Sequence, residues 1–398
     1  LISNLPLLPF DDFPSYYYAG KLALAGHDIY KPIPRVHPYI YPPFFSLLVG
    51  PLTLLNIKSA ALIWLALNIV LYLASAWLLY RILFKDYDDA ILIWTAVIAA
   101  GLIPAQLDLL HGQVNTFILF LLTAALWSYV NRRDLLCGIL IGLAAAIKIT
   151  PALLVLFFLV KKEYRVVLGA LAALLITLFI PIPFFGIIQT VFLLDKWFDL
   201  VISPFILDAQ VRIKFTNQSL TATVYRLLTH ANVKETGGPY YVNFLSLPRE
   251  TAKWFIRGLS AVILLVGYFV VKKPSGRDSS CFFAQYSIVL LSMLILSGIS
   301  WHHHYVLMLL PFMVSLKLAR ETGSKYFTVS MGVSFISVNL SFVFWLGEHW
   351  AVPLSAYSVM FWGALLLWVI HVSWVFSSVA FSKKSGNQVF FDNNIRHS

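Results

Sequence analysis

Apolar runs of about 18 to 25 residues recur along the whole chain, and each is long enough to cross a bilayer as an α-helix. The candidate spans, of which 305–318 is the shortest, are roughly 59–84, 90–110, 114–130, 166–183, 251–271, 280–300, 305–318, 326–346 and 354–378. They are continuous blocks, unlike the short alternating segments of a membrane β-barrel. The pattern predicts an all-α polytopic membrane protein with roughly ten to twelve membrane segments. The chain begins at Leu1 with LISNLPLLPF, which is too short and too interrupted by proline to span, so a first transmembrane helix is expected upstream of residue 1.

The polar breaks between runs are asymmetric. KDYDD (85–89), NRRD (131–134), KKEYR (161–165), KKPSGRD (272–278), KLARETGSK (317–325) and the KKSGN tail all carry Lys or Arg. Simple alternation puts them on one face, which the positive-inside rule makes cytoplasmic. The other face receives the first outer loop (1–43), HGQVN (111–115), a large loop (184–250), WHHHY (301–305) and LGEHWAVP (346–353). Residues 135–160 lie between two basic loops, and each half is too short to cross. They read as a re-entrant helical hairpin that breaks at Thr150–Pro151, with Lys148 at its tip. The alternative is one tilted span. Within the large loop, FLLDKWFDLVISPF spaces its Phe, Leu and Trp residues helically, which suits an interfacial helix. No repeat or soluble-domain boundary divides the chain, so 1–398 reads as a single integral membrane domain.

Composition agrees with this reading. The chain is 60% hydrophobic and 12% charged, with a mean hydropathy of +0.80. The net charge of +11 sits largely in the cytoplasmic loops and calls for no nucleic acid. Cys137 and Cys281 lie at the edges of apolar runs and suggest neither a disulfide framework nor a metal site.

Candidate chemistry collects on the outer face: Asp11, Asp12, Tyr41, Gln113, Asn115, Arg212, Lys214, Asn217, Gln218 and the triplet His302, His303 and His304, with Lys148 nearby. There is no Walker A loop, dinucleotide fingerprint, HExxH or GxSxG. An outward-facing membrane enzyme must take an activated substrate from the lipid phase, and a polyprenyl-phosphate sugar meets that need. Inverting sugar transfer requires a carboxylate to deprotonate the acceptor hydroxyl. It also requires donors on the departing phosphate. Asp11 and Asp12 offer the first; the histidines, Lys148, Arg212 and Lys214 offer the second. A plainer role also exists for Asp12, as the cap of a helix starting near Pro14.

Several motifs occur in an order similar to glycosyltransferase family 87, the GT-C-type polytopic transferases that use polyprenyl-phosphate mannose or related donors. They are DDFPSYYYAGKLALAGHDIY, YIYPPFFSLLVGPL, HGQVNTFILFLL, GILIGLAAAIKITPALL, NQSL and SGISWHHHYV. The resemblance covers nearly the full length and implies a GT-C-type fold. It makes Asp12 the base and places the family's late histidine at His303, with Gly298 where relatives carry Pro and His302 where many are acidic. It also implies a lipid bilayer setting, a polyprenyl-phosphate-linked sugar donor and a glycan or glycolipid acceptor. Lys148, His302, His304, Gln113, Asn115, Asn217, Gln218, Tyr41, Arg212 and Lys214 become candidate substrate contacts. No cofactor and no metal are expected, since no acidic cluster of the kind a tight divalent site prefers is present beyond Asp11–Asp12. Two rivals stand beside this reading. One is a polyprenyl-linked polysaccharide polymerase or ligase, which would lean on arginines in a large late loop. The other is a lipid-linked-sugar transporter or flippase, for which an inverted repeat is missing.

Overall fold

The computed structural model describes residues 10–84, 90–206, 210–234, 238–340 and 343–384. Helices account for the regular structure there, and an isolated bridge pairs Asn217 with Trp301. In chain order they are α1 (Phe13–Leu24), α2 (Pro43–Val49), α3 (Ile57–Leu83), α4 (Ala90–Gly101), α5 (Ile103–Leu110), α6 (Asn115–Val130), α7 (Asp134–Ile147), α8 (Ala152–Val160) and α9 (Tyr164–Phe179). There follow α10 (Ile182–Trp197), α11 (Ser203–Ile206), α12 (Leu220–Leu228), α13 (Arg249–Val271), α14 (Ser280–Leu296), α15 (Leu309–Thr322), α16 (Lys325–Asn339), α17 (Val343–Ala356) and α18 (Val359–Lys384).

This is an all-α, multi-pass membrane protein. Among the described residues, α3, α13 and α18 are each long and apolar enough to cross a membrane alone. The pairs α4–α5 and α9–α10 qualify as bent units, with bends of 51° and 92°. Two other expected spans are shorter than anticipated: α6 and α14 are apolar helices of 10–17 residues, and α7, an arm of the expected hairpin, is in the same range. The outward faces of α3, α9 and α13 expose Val70, Leu73, Leu168, Ile176, Val262 and Leu265. Apolar surface at that density is costly in water and is the solvated face in hydrocarbon.

The sharp turn after α9 follows from Pro181, Pro183 and Gly186, whose φ of +75° suits a residue without a Cβ. It swings α10 across the direction of α9, as the expected interfacial helix requires. Beyond Trp197 the winding loosens to a π-helical turn at Phe198–Ile202. Lys196 on α10 reaches Asp28 in the first loop at 2.6 Å.

The basic loops meet at one end of the bundle. Arg277 binds Asp134, and it binds Glu163 at 2.9 Å. The Lys161 Nζ donates to the Lys273 carbonyl at 2.7 Å and to the Ser275 Oγ at 2.9 Å. Lys317 donates to the Leu83 carbonyl at 3.1 Å, and Lys273 donates to Val375 at 3.4 Å. The KDYDD loop and the tail past Lys384 lie outside the described residues, as do residues 1–9 of the first loop.

Asp134 opens α7 and Glu163 follows α8, and both pair with the same guanidinium. Residues 134–163 therefore leave this end of the bundle and return to it, which is the expected hairpin. Its first arm docks through small residues: a Cβ on Gly138 or Gly142 would collide with the backbone of Val166 or Ala170 on α9. Such close helix approach is the usual use of a Gly-x-x-x-Gly pair in a membrane.

Candidate active site

At the opposite end of the bundle, α1 starts beneath a short turn between α5 and α6. Asp12 occupies the capping position of α1, yet its carboxylate makes no capping bond. It accepts instead a short hydrogen bond from the Gln113 Nε2. The Asp12 amide donates to the His111 carbonyl at 3.2 Å, tying α1 to the His111–Gly112–Gln113 turn. Gly112 has φ of +66°, and a Cβ there would meet the Phe13 Cβ at 2.9 Å. The Gly112 carbonyl accepts from the Trp64 indole at 2.9 Å. Only glycine lets the turn approach α1 closely enough to bring Gln113 onto Asp12.

Tyr16 donates to the Gln113 Oε1 at 3.3 Å and shares a 3.2 Å hydroxyl contact with Tyr41. Gln113 is thereby oriented, oxygen toward Tyr16 and amide toward the carboxylate. Asp11 is more exposed and contacts the His111 Nδ1 at 3.3 Å. Burial pushes the Asp12 carboxyl above the usual range, opposed by the Gln113 hydrogen bond and by His37 and His111.

The histidine triplet approaches from a short 3-10 turn, His302–Met308, that leads into α15. His303 lies against His111 at 6.0 Å between ring centroids, and against His304 at 4.8 Å. Asp12 and His303 thus flank one residue, His111. The buried Nε2 atoms of His302 and His303 have no hydrogen-bond partner among the described residues. Burial, and then the nearby Lys148 charge, holds His303 and His304 well below the ordinary imidazole range. Burial and the Arg226 charge push His302 down to about 4. All three rings are therefore held in the neutral form near neutral pH.

Lys148 sits at the hairpin tip as expected. Its Nζ donates to the Asn115 Oδ1 at 2.7 Å, and the Asn115 Nδ2 donates to Asp108 at 2.7 Å. An open groove of about 410 Å³ begins beside it, lined by Ile149, Leu153, Leu156, Leu174, Met293 and Leu296. The wall is almost entirely apolar, and Thr150 and Ser297 also border it.

Asn217 and Gln218 are fully buried and hold loops together. Asn217 donates to the carbonyls of Arg212 and Gly298 and accepts from the Ser300 amide. Gln218 donates to the carbonyls of Phe215 and Ser355. They fix the segment that carries the histidines. Arg212 is exposed and Lys214 half-buried. The structure uses the carbonyls of both, since that of Lys214 accepts from Arg226 at 2.8 Å.

Sequence reasoning misses two charged residues here. Asp108 is fully buried under Asn115, and the signal that finds it is an acid inside the apolar run 90–110. Arg226 is likewise fully buried, bonding the carbonyls of Asn217 and Ala356 and the Ser358 hydroxyl. Among the described residues no group of His, Cys, Asp and Glu could hold a metal ion.

Carboxylate, imidazoles and the Lys148 amine thus gather at one end of a bundle of membrane helices, close to an apolar groove. The profile of glycosyltransferase family 87 matches residues 39–298, and the chain belongs to that family. Asp12 and His303 lie outside the matched segment. The chain is 24% identical, over 70% of its length and 58% of the relative's, to a polyprenol-phosphate-mannose-dependent alpha-(1-2)-phosphatidylinositol pentamannoside mannosyltransferase of Mycobacterium tuberculosis. It is 26% identical to the protein of that name in Mycolicibacterium smegmatis, over 78% of the chain and 68% of the relative. An alpha-(1->3)-arabinofuranosyltransferase of Corynebacterium glutamicum is 31% identical over 40% of each chain. No solved structure matches.

Proposed function

We propose that this protein moves mannose from a polyprenyl-phosphate donor to a hydroxyl of a glycan or glycolipid acceptor, on the outer face of the cell membrane and with inversion. The observation that carries the reading is the placement of Lys148. Lys148 directly precedes Ile149 and Thr150 in the wall of an apolar groove, and its charge acts on His303, which lies against His111 beside Asp12. An isoprenoid chain fits the groove, its phosphate meets the ammonium, and the sugar then lies toward Asp12.

Asp12 takes the proton of the acceptor hydroxyl as that oxygen attacks the anomeric carbon. The bond from the anomeric carbon to the phosphate oxygen breaks, and polyprenyl phosphate leaves with the electron pair. Lys148 and His303, in the tautomer that carries its proton on the unpartnered Nε2, hydrogen-bond the phosphate as negative charge grows on it. Attack opposite the leaving group turns a β-linked donor into an α-linked product. No step requires a metal or other cofactor. The polyprenol-phosphate-mannose dependence of the relatives supports the donor, and the open apolar groove supports its lipid character.

The test is sugar transfer from synthetic polyprenyl-phosphate mannose in membranes holding the full-length protein, with Asp12→Asn beside wild type. Wild type should transfer, and the variant should lose about 10²- to 10⁴-fold, the usual contribution of a general base. An inactive wild type would sink the donor assignment. A fully active variant would sink Asp12 as the base.

A further inference from the structure

One carboxylate lies beneath this constellation and belongs to neither the groove wall nor the Asp12 pair. Asp108 is fully buried on α5. One of its oxygens accepts from the Asn115 Nδ2 at 2.7 Å. The other accepts from the Thr116 amide at 2.8 Å and the Thr116 hydroxyl at 2.7 Å. Its backbone carbonyl accepts from the Gln113 amide at 2.9 Å, so the same residue anchors the turn that carries Gln113.

Asn115 stands between an ammonium, which only donates, and a carboxylate, which only accepts. Its amide therefore has one permitted orientation, with the NH₂ toward Asp108 and the oxygen toward the Lys148 Nζ. We infer that Asp108 is a positioning residue that sets the polarity of the Asn115 amide and so fixes the Lys148 ammonium on Asn115, one residue before the groove wall begins at Ile149. The inference rests on the reading of Lys148 as the phosphate contact. It adds a buried acid that never touches substrate.

An amide at position 108 cannot satisfy the same three donors. If its oxygen keeps Thr116, its NH₂ faces Asn115. Asn115 must then turn, presenting its own NH₂ to the ammonium, donor against donor. Moving the charge by one link removes the conflict. In Asp108→Asn/Asn115→Asp the new amide donates to the new carboxylate, which accepts from Lys148 as well.

The experiment uses the full chain in lipid nanodiscs and two readouts. The first is the rate at which Lys148 is acylated by a small amine-reactive ester, mapped by peptide mass spectrometry, which needs no activity. The second is kcat and donor KM for mannose transfer. Asp108→Asn should speed Lys148 acylation about tenfold and lower kcat about 30-fold, as expected for an ammonium deprived of its partner. The double variant should return both to within about threefold of wild type, a coupling that independent sites do not show. A folded Asp108→Asn with the wild-type labelling rate would overturn the inference. So would a double variant no better than the single one. Should Asp108→Asn fail to fold, a folded double variant with wild-type labelling still supports the relay, and an unfolded one refutes it. If the labelling order holds while wild type transfers nothing, the donor reading fails and the Asp108 assignment stands.

Discussion

To serve as the proposed base Asp12 must be ionised, and burial works against that. The rate should fall as pH drops through the Asp12 pKa, and that acid limb should lie above the ordinary aspartate range. The Gln113 hydrogen bond pulls the other way by favouring the carboxylate. Gln113→Leu should therefore raise the Asp12 pKa and move the acid limb upward by about one pH unit, read from a kcat/KM–pH profile. An unmoved limb would mean that another group titrates. At this scale much was legible from residue type alone. Lys148, Gln113 and Asn115 are polar residues stranded beside long apolar runs, and the structure joins them to Asp12 or Asp108. Asn217 and Gln218, singled out from the large loop, instead bind backbone carbonyls. Sequence gives the presence of an amide and not the partner it finds. The sequence also allows Asp12 to cap its helix, whereas in the structure its carboxylate makes no capping bond and pairs with Gln113.

The re-entrant hairpin was readable because two basic loops stood too close together for two full crossings. Its docking partner was not, since the pairing of α7 with α9 depends on backbone approach at Gly138, Gly142 and Gly169. Gly142→Leu should separate the two helices or prevent folding. Overpacking of this kind costs about 1–3 kcal/mol, and a clash with backbone cannot be relieved by a rotamer change. Thermal unfolding in detergent would show it as a lowered midpoint, and an unchanged midpoint would deny the close crossing. Helix lengths were less legible. Hydropathy marks where a chain is apolar, but not where Pro181, Pro183 and Gly186 turn it aside.

Over the whole molecule, polar groups sort to two ends, with Arg277, Asp134 and Glu163 at one and Asp12, His303 and Lys148 at the other. Single cysteines at Arg132 and at Lys31, in a background without Cys137 and Cys281, should react with a membrane-impermeant maleimide from opposite sides of a sealed vesicle. Labelling of both from one side would refute the threading. Arg277→Ala should lower the unfolding midpoint by several degrees, since it strands two partly buried carboxylates worth about 1–3 kcal/mol together.

The two ends are mechanically joined. α7 has 14 residues and is a rod of about 21 Å, with Asp134 at its base and Lys148 just past its tip. A tilt of about 5° at the base would carry the tip about 2 Å, more than the slack in a 2.7 Å hydrogen bond to Asn115. Arg277 therefore sits at the fulcrum of a lever whose far end holds the ammonium. One helix thus has a fixing at each end, the ion pair of Asp134 with Arg277 at its base and the Lys148–Asn115 hydrogen bond just past its tip.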